Sequence, residues 1–117
     1  MERIINKETW EIERIKGSRF ITNVSPVYTI QEAMAFLHAV ESRNRGANHN
    51  CYAYVLRDGS YKSSDDGEPK GSAGGPILQC LIKKSIVDSM IIVTRYFGGT
   101  KLGKGGLIRA YGNAAKF

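Results

Sequence analysis

Met90-Ile91-Ile92-Val93, followed after Thr94 by Arg95-Tyr96-Phe97-Gly98-Gly99-Thr100-Lys101-Leu102-Gly103-Lys104-Gly105-Gly106, joins a wholly apolar run to a basic, glycine-dense one. Four successive apolar residues, three of them β-branched, read as a buried central strand. Five glycines in the next twelve residues predict a loop, with a last helix starting near Leu107. Upstream, Ile77, Leu78, Leu81 and Ile82 recur at helical spacing, with Ser72 as a candidate cap and Pro76 tolerable in the first turn. Before that helix, Ser64-Asp65-Asp66-Gly67-Glu68-Pro69-Lys70-Gly71 has almost nothing apolar and must be a surface loop.

Further out the signals are local and conventional. Cys51–Leu56 has strand composition, Asp58-Gly59 is a hairpin turn signal and Tyr61-Lys62-Ser63 is a short partner strand. Ile30, Ala33, Met34, Leu37 and Val40 mark a helix capped at Thr29, with Glu32 completing a capping box and Asn44–Gly46 ending it. Thr9–Ile15 and Arg19–Val24 read as two strands joined by a tight turn at Lys16-Gly17-Ser18. The order is strand, strand, helix, strand, short strand, helix, strand, helix. It predicts an α+β domain, a mixed sheet with helices on one face.

The whole chain has 117 residues, 42% hydrophobic and 24% charged, which suits one globular domain over residues 1–117 and excludes collagen-like, disordered and disulfide-scaffold classes. Folding at this size buries roughly two-thirds of the unfolded surface, enough for a core without staples. Cys51 and Cys80 stand 29 residues apart among apolar neighbours, as buried thiols do. The first residues lack an apolar leader run, and no stretch approaches a membrane span, so a soluble, cytoplasmic protein is expected. The net charge of +6 is unevenly placed: residues 1–69 carry nine basic and ten acidic side chains, whereas residues 70–117 carry eight basic ones against Asp88 alone. A surface facing a polyanion would therefore be C-terminal.

Two loops hold the residues with chemical potential. In the basic loop, backbone N–H groups at Gly98, Gly99, Gly103, Gly105 and Gly106, with the dipole of the following helix, suit an anion; Arg95, Lys101, Lys104 and Arg109 are candidate phosphate ligands, with Tyr96 beside them. The spacing is neither a Walker A nor a dinucleotide fingerprint. In the acidic loop, Asp65, Asp66 and Glu68 offer a candidate general base but too few oxygens for a metal site, and they suit equally a turn whose carboxylates cap the next helix or pair with a nearby Arg. His49, just before a strand in a polar setting, is a candidate acid, base or base-stacking residue; His38 receives no role. The catalytic candidates are thus His49, Asp66 and Glu68. Tyr52, Tyr54, Tyr61, Tyr96, Phe97 and Tyr111 lie among this basic material, where aromatics serve either stacking on single-stranded bases or a core.

Three of these runs carry a resemblance: His49–Tyr54, Ser64–Gly74 and Arg95–Tyr111 together look like the IMPACT family, also called the YigZ family, and Lys16-Gly17-Ser18-Arg19-Phe20 resembles its early Lys-x-Ser-x-Phe element. Ser72 stands where that family commonly has Thr, keeping the hydroxyl. The resemblance implies a two-layer α+β sandwich like the second domain of the fifth small-subunit ribosomal protein. It also implies a link to translation: eukaryotic members antagonise activation of a starvation-responsive initiation-factor kinase, through partner binding in which an additional N-terminal domain takes part. Bacterial members usually continue into a ferredoxin-like domain, so residues 1–117 are expected to stand alone or as the first domain of a longer two-domain protein. The expected function is binding rather than catalysis, with RNA, the ribosome or translation factors as partners, no cofactor and no membrane. The alternatives are phosphate-ester or phosphoryl chemistry in the same groove, and a protein-interaction module with a basic face.

Overall fold

The run Met90–Val93 lies in β7 (Ser89–Tyr96), a strand buried along seven of its eight residues. A strand can be apolar on successive positions only where both faces are covered. The computed structural model, which describes residues 2–3 by their backbone and residues 6–117 in full, shows how this is met. Two other strands flank β7, namely β3 (Arg19–Pro26) and β4 (His49–Val55). Outside them lie β2 (Glu8–Glu11) and β5 (Tyr61–Ser64), giving the order β2-β3-β7-β4-β5 with every neighbour antiparallel. A separate two-stranded pairing joins β1 (Glu2–Arg3) to β6 (Ile86–Val87) in parallel.

The hairpin before β3 turns where the sequence punctuates. Lys16 and Gly17 both take positive φ, 49° and 83°, and Ile15 and Ser18 exchange two backbone hydrogen bonds across them. That is the primed turn whose twist matches the strands it joins. Helix α1 (Ile30–Arg43) starts at Thr29, whose hydroxyl accepts from the Glu32 amide at 3.0 Å. Glu32 in return accepts from the Tyr28 amide at 2.8 Å, so the capping box closes one residue before the cap.

The two remaining helices are α2 (Gly74–Lys83) and α3 (Gly103–Ala115). On one face of the sheet Ile91 and Val93 join Cys51, Ala53, Phe20 and Val24 beneath Ile77 and Leu81 of α2 and Leu107, Ala110 and Tyr111 of α3. On the other face Met90 and Ile92 join Tyr52 and Tyr54 against Ala33, Phe36, Leu37 and Val40 of α1. Burying such side chains contributes about 1.5–3 kcal/mol each.

The α+β class expected from the element order is the one observed, but its layering differs in two respects. The five-stranded sheet is antiparallel throughout rather than mixed, the parallel pairing being confined to β1 and β6. Helices also cover both faces rather than one, because the unbroken apolar run of β7 has to be sealed on each side. Two boundaries move as well. Strand β2 ends at Glu11 rather than Ile15, leaving a single bridge between Ile15 and Ser18. Helix α3 begins at Gly103 rather than Leu107: glycine weakens a helix interior by about 1 kcal/mol relative to alanine, yet α3 packs its Leu107, Ala110 and Tyr111 into the core and carries its glycine-rich first turn along.

Candidate functional site

The acidic loop is built by its own carboxylates. Asp65 accepts from the backbone amides of Gly71 (2.9 Å), Ala73 (3.1 Å) and Gly74 (2.8 Å), closing the loop and capping α2, whose own N-cap Ala73 has no side chain for the task. Partial burial pushes the Asp65 carboxyl up, but the amides of Gly71, Gly74 and Ala73, aided by Lys104, outweigh it and hold the group below its ordinary value. Gly74 is a place where only glycine fits, since a Cβ there would lie 2.7 Å from the Ser64 nitrogen. Ser72, the residue singled out as a cap, instead donates its hydroxyl to the Pro69 carbonyl.

The turn at Asp66 and Gly67, both at positive φ, aims the next side chain inward. Asp66 stays on the surface, its carboxylate accepting from the Asn50 amide at 2.6 Å and its carbonyl lying 2.8 Å from His49 Nδ1. Glu68 turns into the protein, with its side chain only 3% exposed. There Arg95 Nη1 donates to both of its oxygens at 3.1 and 2.9 Å, and the Tyr111 hydroxyl donates to Oε2. His49 Nε2 lies 3.5 Å from Oε1.

Arg95 is placed by strand alternation on the same face as Ile91 and Val93, where a guanidinium needs a carboxylate. Its remaining donors, Nε and Nη2, both reach the Ser18 hydroxyl at 3.3 Å. Its Cζ lies 5.7 Å from the Phe20 ring centroid and 5.4 Å from that of Phe97. The Ser18 oxygen also accepts from the Gly98 amide, and here the first hairpin and the basic loop touch backbone to backbone: a Cβ on Gly98 would fall 2.0 Å from the Gly17 carbonyl carbon. Beneath the carboxylate, burial pushes the Tyr111 phenol well above its ordinary value, with Cys51 and Glu68 adding to it. The Cys51 thiol, which donates to the Asp65 carbonyl at 3.1 Å, is pushed up to about 12, again chiefly by burial. Both groups stay protonated at neutral pH.

The acidic and basic loops thus meet at one cleft of about 330 Å³, where His49, Glu68 and Arg95 are overlain by Phe97, Lys101 and Lys104. Of the sequence candidates, His49, Glu68, Arg95, Lys101, Gly103 and Lys104 line it. Asp66 stands outside the lining and supports His49. Arg109, exposed one turn along α3 from Gly105, borders a neighbouring depression with Ile15 and Lys16. Tyr96 turns away, its hydroxyl donating to Asn44 at 2.8 Å. Gly98 and Gly99 are exposed in the loop, and Gly103, Gly105 and Gly106 belong to the first turn of α3, where the N-cap Leu102 provides no side-chain hydrogen bond and no acidic residue is present. That turn leaves its amides for another partner.

Ser18 and Tyr111 are members of this network that the residue-by-residue reading did not assign to it. Their signal lay in phase: Arg95 follows Ile91 and Val93 on a buried face and therefore needs acceptors brought from elsewhere in the chain. Of the aromatics, Tyr52, Tyr54 and Tyr111 are core, whereas Tyr61 and Phe97 are exposed. No three His, Cys, Asp or Glu side chains among the described residues gather as a cation site, and no helix among them is long and apolar enough to cross a membrane.

Fold and cleft define an α+β domain with an antiparallel sheet, a charge pair neutralised inside the protein and exposed cations on the rim above it. Residues 16–117 match the Impact N-terminal domain, and the chain belongs to the IMPACT family. IMPACT family member YvyE of Bacillus subtilis is 50% identical over 102 residues, covering 86% of this chain and 47% of that protein. A crystal structure of a hypothetical protein superposes with a TM-score of 0.86 at 38% identity, over 92% of this chain and 54% of the other. The structure of the two-domain translational regulator Yih1 matches with a TM-score of 0.53 at 27% identity, over 94% of this chain and 43% of Yih1. The chain spans about half the length of the bacterial relatives it matches.

Proposed function

We propose that this domain binds single-stranded RNA through the rim of the cleft, as a ribosome-linked regulator of translation. The observation that carries the reading is the start of α3: Gly103 and Lys104, at a helix N-terminus with no side-chain cap, join exposed Lys101 in lining the cleft that Phe97 also lines. Lysine point charges and helix amides suit phosphate oxygens, and Phe97, 47% exposed, offers a ring to an unstacked base. Arg95 is spent on Glu68 and Ser18, so the phosphate contacts fall to Lys101, Lys104 and Arg109. The naming of Yih1 as a translational regulator supports the biological setting.

Binding is favoured over phosphoryl chemistry because the candidate acid–base groups are held by one another: Glu68 accepts from Arg95 and Tyr111, and His49 lies between the Asp66 carbonyl and Glu68. Titration of the chain with a short unstructured RNA tests the reading. Three phosphate contacts predict a log–log salt slope of about −2, from about 0.7 per contact, and the double variant Lys101→Ala/Lys104→Ala should flatten it by about 1.4. Absence of binding at ~100 μM RNA in low salt would remove the RNA reading.

A further inference from the structure

A second concavity, of about 600 Å³, runs between α2 and α3 beyond the cleft. Its lining is mainly apolar, with Pro76 and Cys80 from α2, and Ile108 and Gly112 from α3, ending at Phe117. Ile108 and Phe117 are 41% and 43% exposed. A gap exists because Gly112 has no side chain: a Cβ built there would find only the Pro76 ring, at 4.0 Å. The remaining lining is cationic, with Lys83, Lys84 and Lys116, and Gln79 is its one neutral polar residue. None of the side chains lining the groove is a carboxylate. Lys84 donates to the Phe117 carbonyl and sits 4.9 Å above its ring, which fixes one cation at the edge of the apolar floor. Burial pushes the Cys80 thiol up, with Lys116, Lys83 and Lys84 pulling it down.

An apolar trough with cations along its margins is complementary to one chemistry, an apolar stripe flanked by carboxylates. We infer that the groove between α2 and α3 docks an amphipathic helix from a partner protein, with Leu- or Phe-type side chains over Gly112 and Cys80 and Glu or Asp side chains reaching Lys83, Lys84 and Lys116. RNA fits this surface less well, since the one ring it offers, Phe117, already packs against Lys84 and Trp10. The surface is separate from the cleft rim, so the two can be occupied together.

The probe is a labelled 15-residue amphipathic peptide with Leu at i, i+3 and i+7 and Glu at the flanking positions, compared with a twin carrying Lys in place of every Glu. Fluorescence anisotropy with the chain should show the Glu peptide binding at least about tenfold more tightly than the Lys twin, a difference that shrinks with salt. Amide shifts should concentrate at Gln79, Cys80, Ile108 and Gly112. Charge reversal at Lys83, Lys84 and Lys116 should invert the preference between the peptides. Gly112→Leu should fill the trough and remove binding, with an unchanged far-UV spectrum and unchanged RNA affinity showing that the domain is intact. Equal affinity for the twin peptides, no binding of either at ~1 mM, or shifts elsewhere would each overturn the proposal. So would concentration-dependent dimerisation in sedimentation that Gly112→Leu abolishes, because the occupant would then be a second copy of this chain.

Discussion

The cleft and the groove share α3 and solve opposite problems. At the cleft, a carboxylate and a guanidinium are taken out of water and paired: Arg95 and Tyr111 donate to Glu68, and Arg95 donates to Ser18 as well. At the groove, apolar surface is left in water and the charges stay solvated at its margin. The first arrangement is intolerant of change, because removing one partner of a buried pair strands the other. The second tolerates change at little cost to the fold. A functional surface thus need not be where the buried chemistry is densest: at the cleft, the buried charges hold loops in place and the exposed rim remains available for contact.

The sharpest way to break this contrast is at the charge pair. Arg95→Met should destabilise the domain by about 3–5 kcal/mol in urea unfolding, and Glu68→Gln by a similar amount. The double variant Glu68→Leu/Arg95→Met should lose less than either single change, since no unpaired charge remains; a strictly additive loss would mean that the pair is not the coupled unit described. Tyr111→Phe comes next, at about 1.5–3 kcal/mol, for a hydrogen bond to a charged acceptor.

Asp65→Ala should cost about 0.5–2 kcal/mol at pH 7, as the loss of other caps does. Its pH dependence follows from a folded-state value held below the unfolded one. The contribution is fully present above the unfolded value near 4, declines as the pH falls through the folded value, and the difference between wild type and variant should narrow with it. A gap that widened on acidification would contradict the capping geometry. At the groove, by contrast, Lys116→Ala should change stability by less than about 0.5 kcal/mol. The smallest effect is chemical: a thiol reagent at pH 8 should modify half-buried Cys80 while leaving Cys51, at about 12 and buried, unmodified until the protein unfolds.

What the sequence made legible was whatever rests on neighbouring residues. The Lys16-Gly17 turn, the Thr29 cap, the Asp58-Gly59 hairpin and the central strand at Met90–Val93 all depend on interactions within a few positions, and each is present. The second layer of helix was not read, although its requirement was written in the adjacent burial of Ile91 and Ile92, which point to opposite faces. The start of α3 was misplaced because glycine spacing describes local preference, while Leu107 and Tyr111 set the helix by packing. The pairing of Glu68 with Arg95, which joins the two loops, spans 27 residues, and that of Arg95 with Ser18 spans 77. No periodicity reports a contact of that kind.

Placing β7 between β3 and β4 has a consequence for biosynthesis. The two hairpins that flank it, β2 with β3 and β4 with β5, leave the exit of synthesis long before the strand that unites them. Each therefore waits with an open edge of unpaired backbone groups, the sort of edge that recruits other chains. At 5–20 residues per second, the 43 residues separating Glu68 from Tyr111 take roughly 2–9 s to translate, and until they are made the carboxylate lacks its complete set of buried partners. The nascent chain is thus a split sheet held open for a wedge, and the domain closes only when its last strand and helix arrive together.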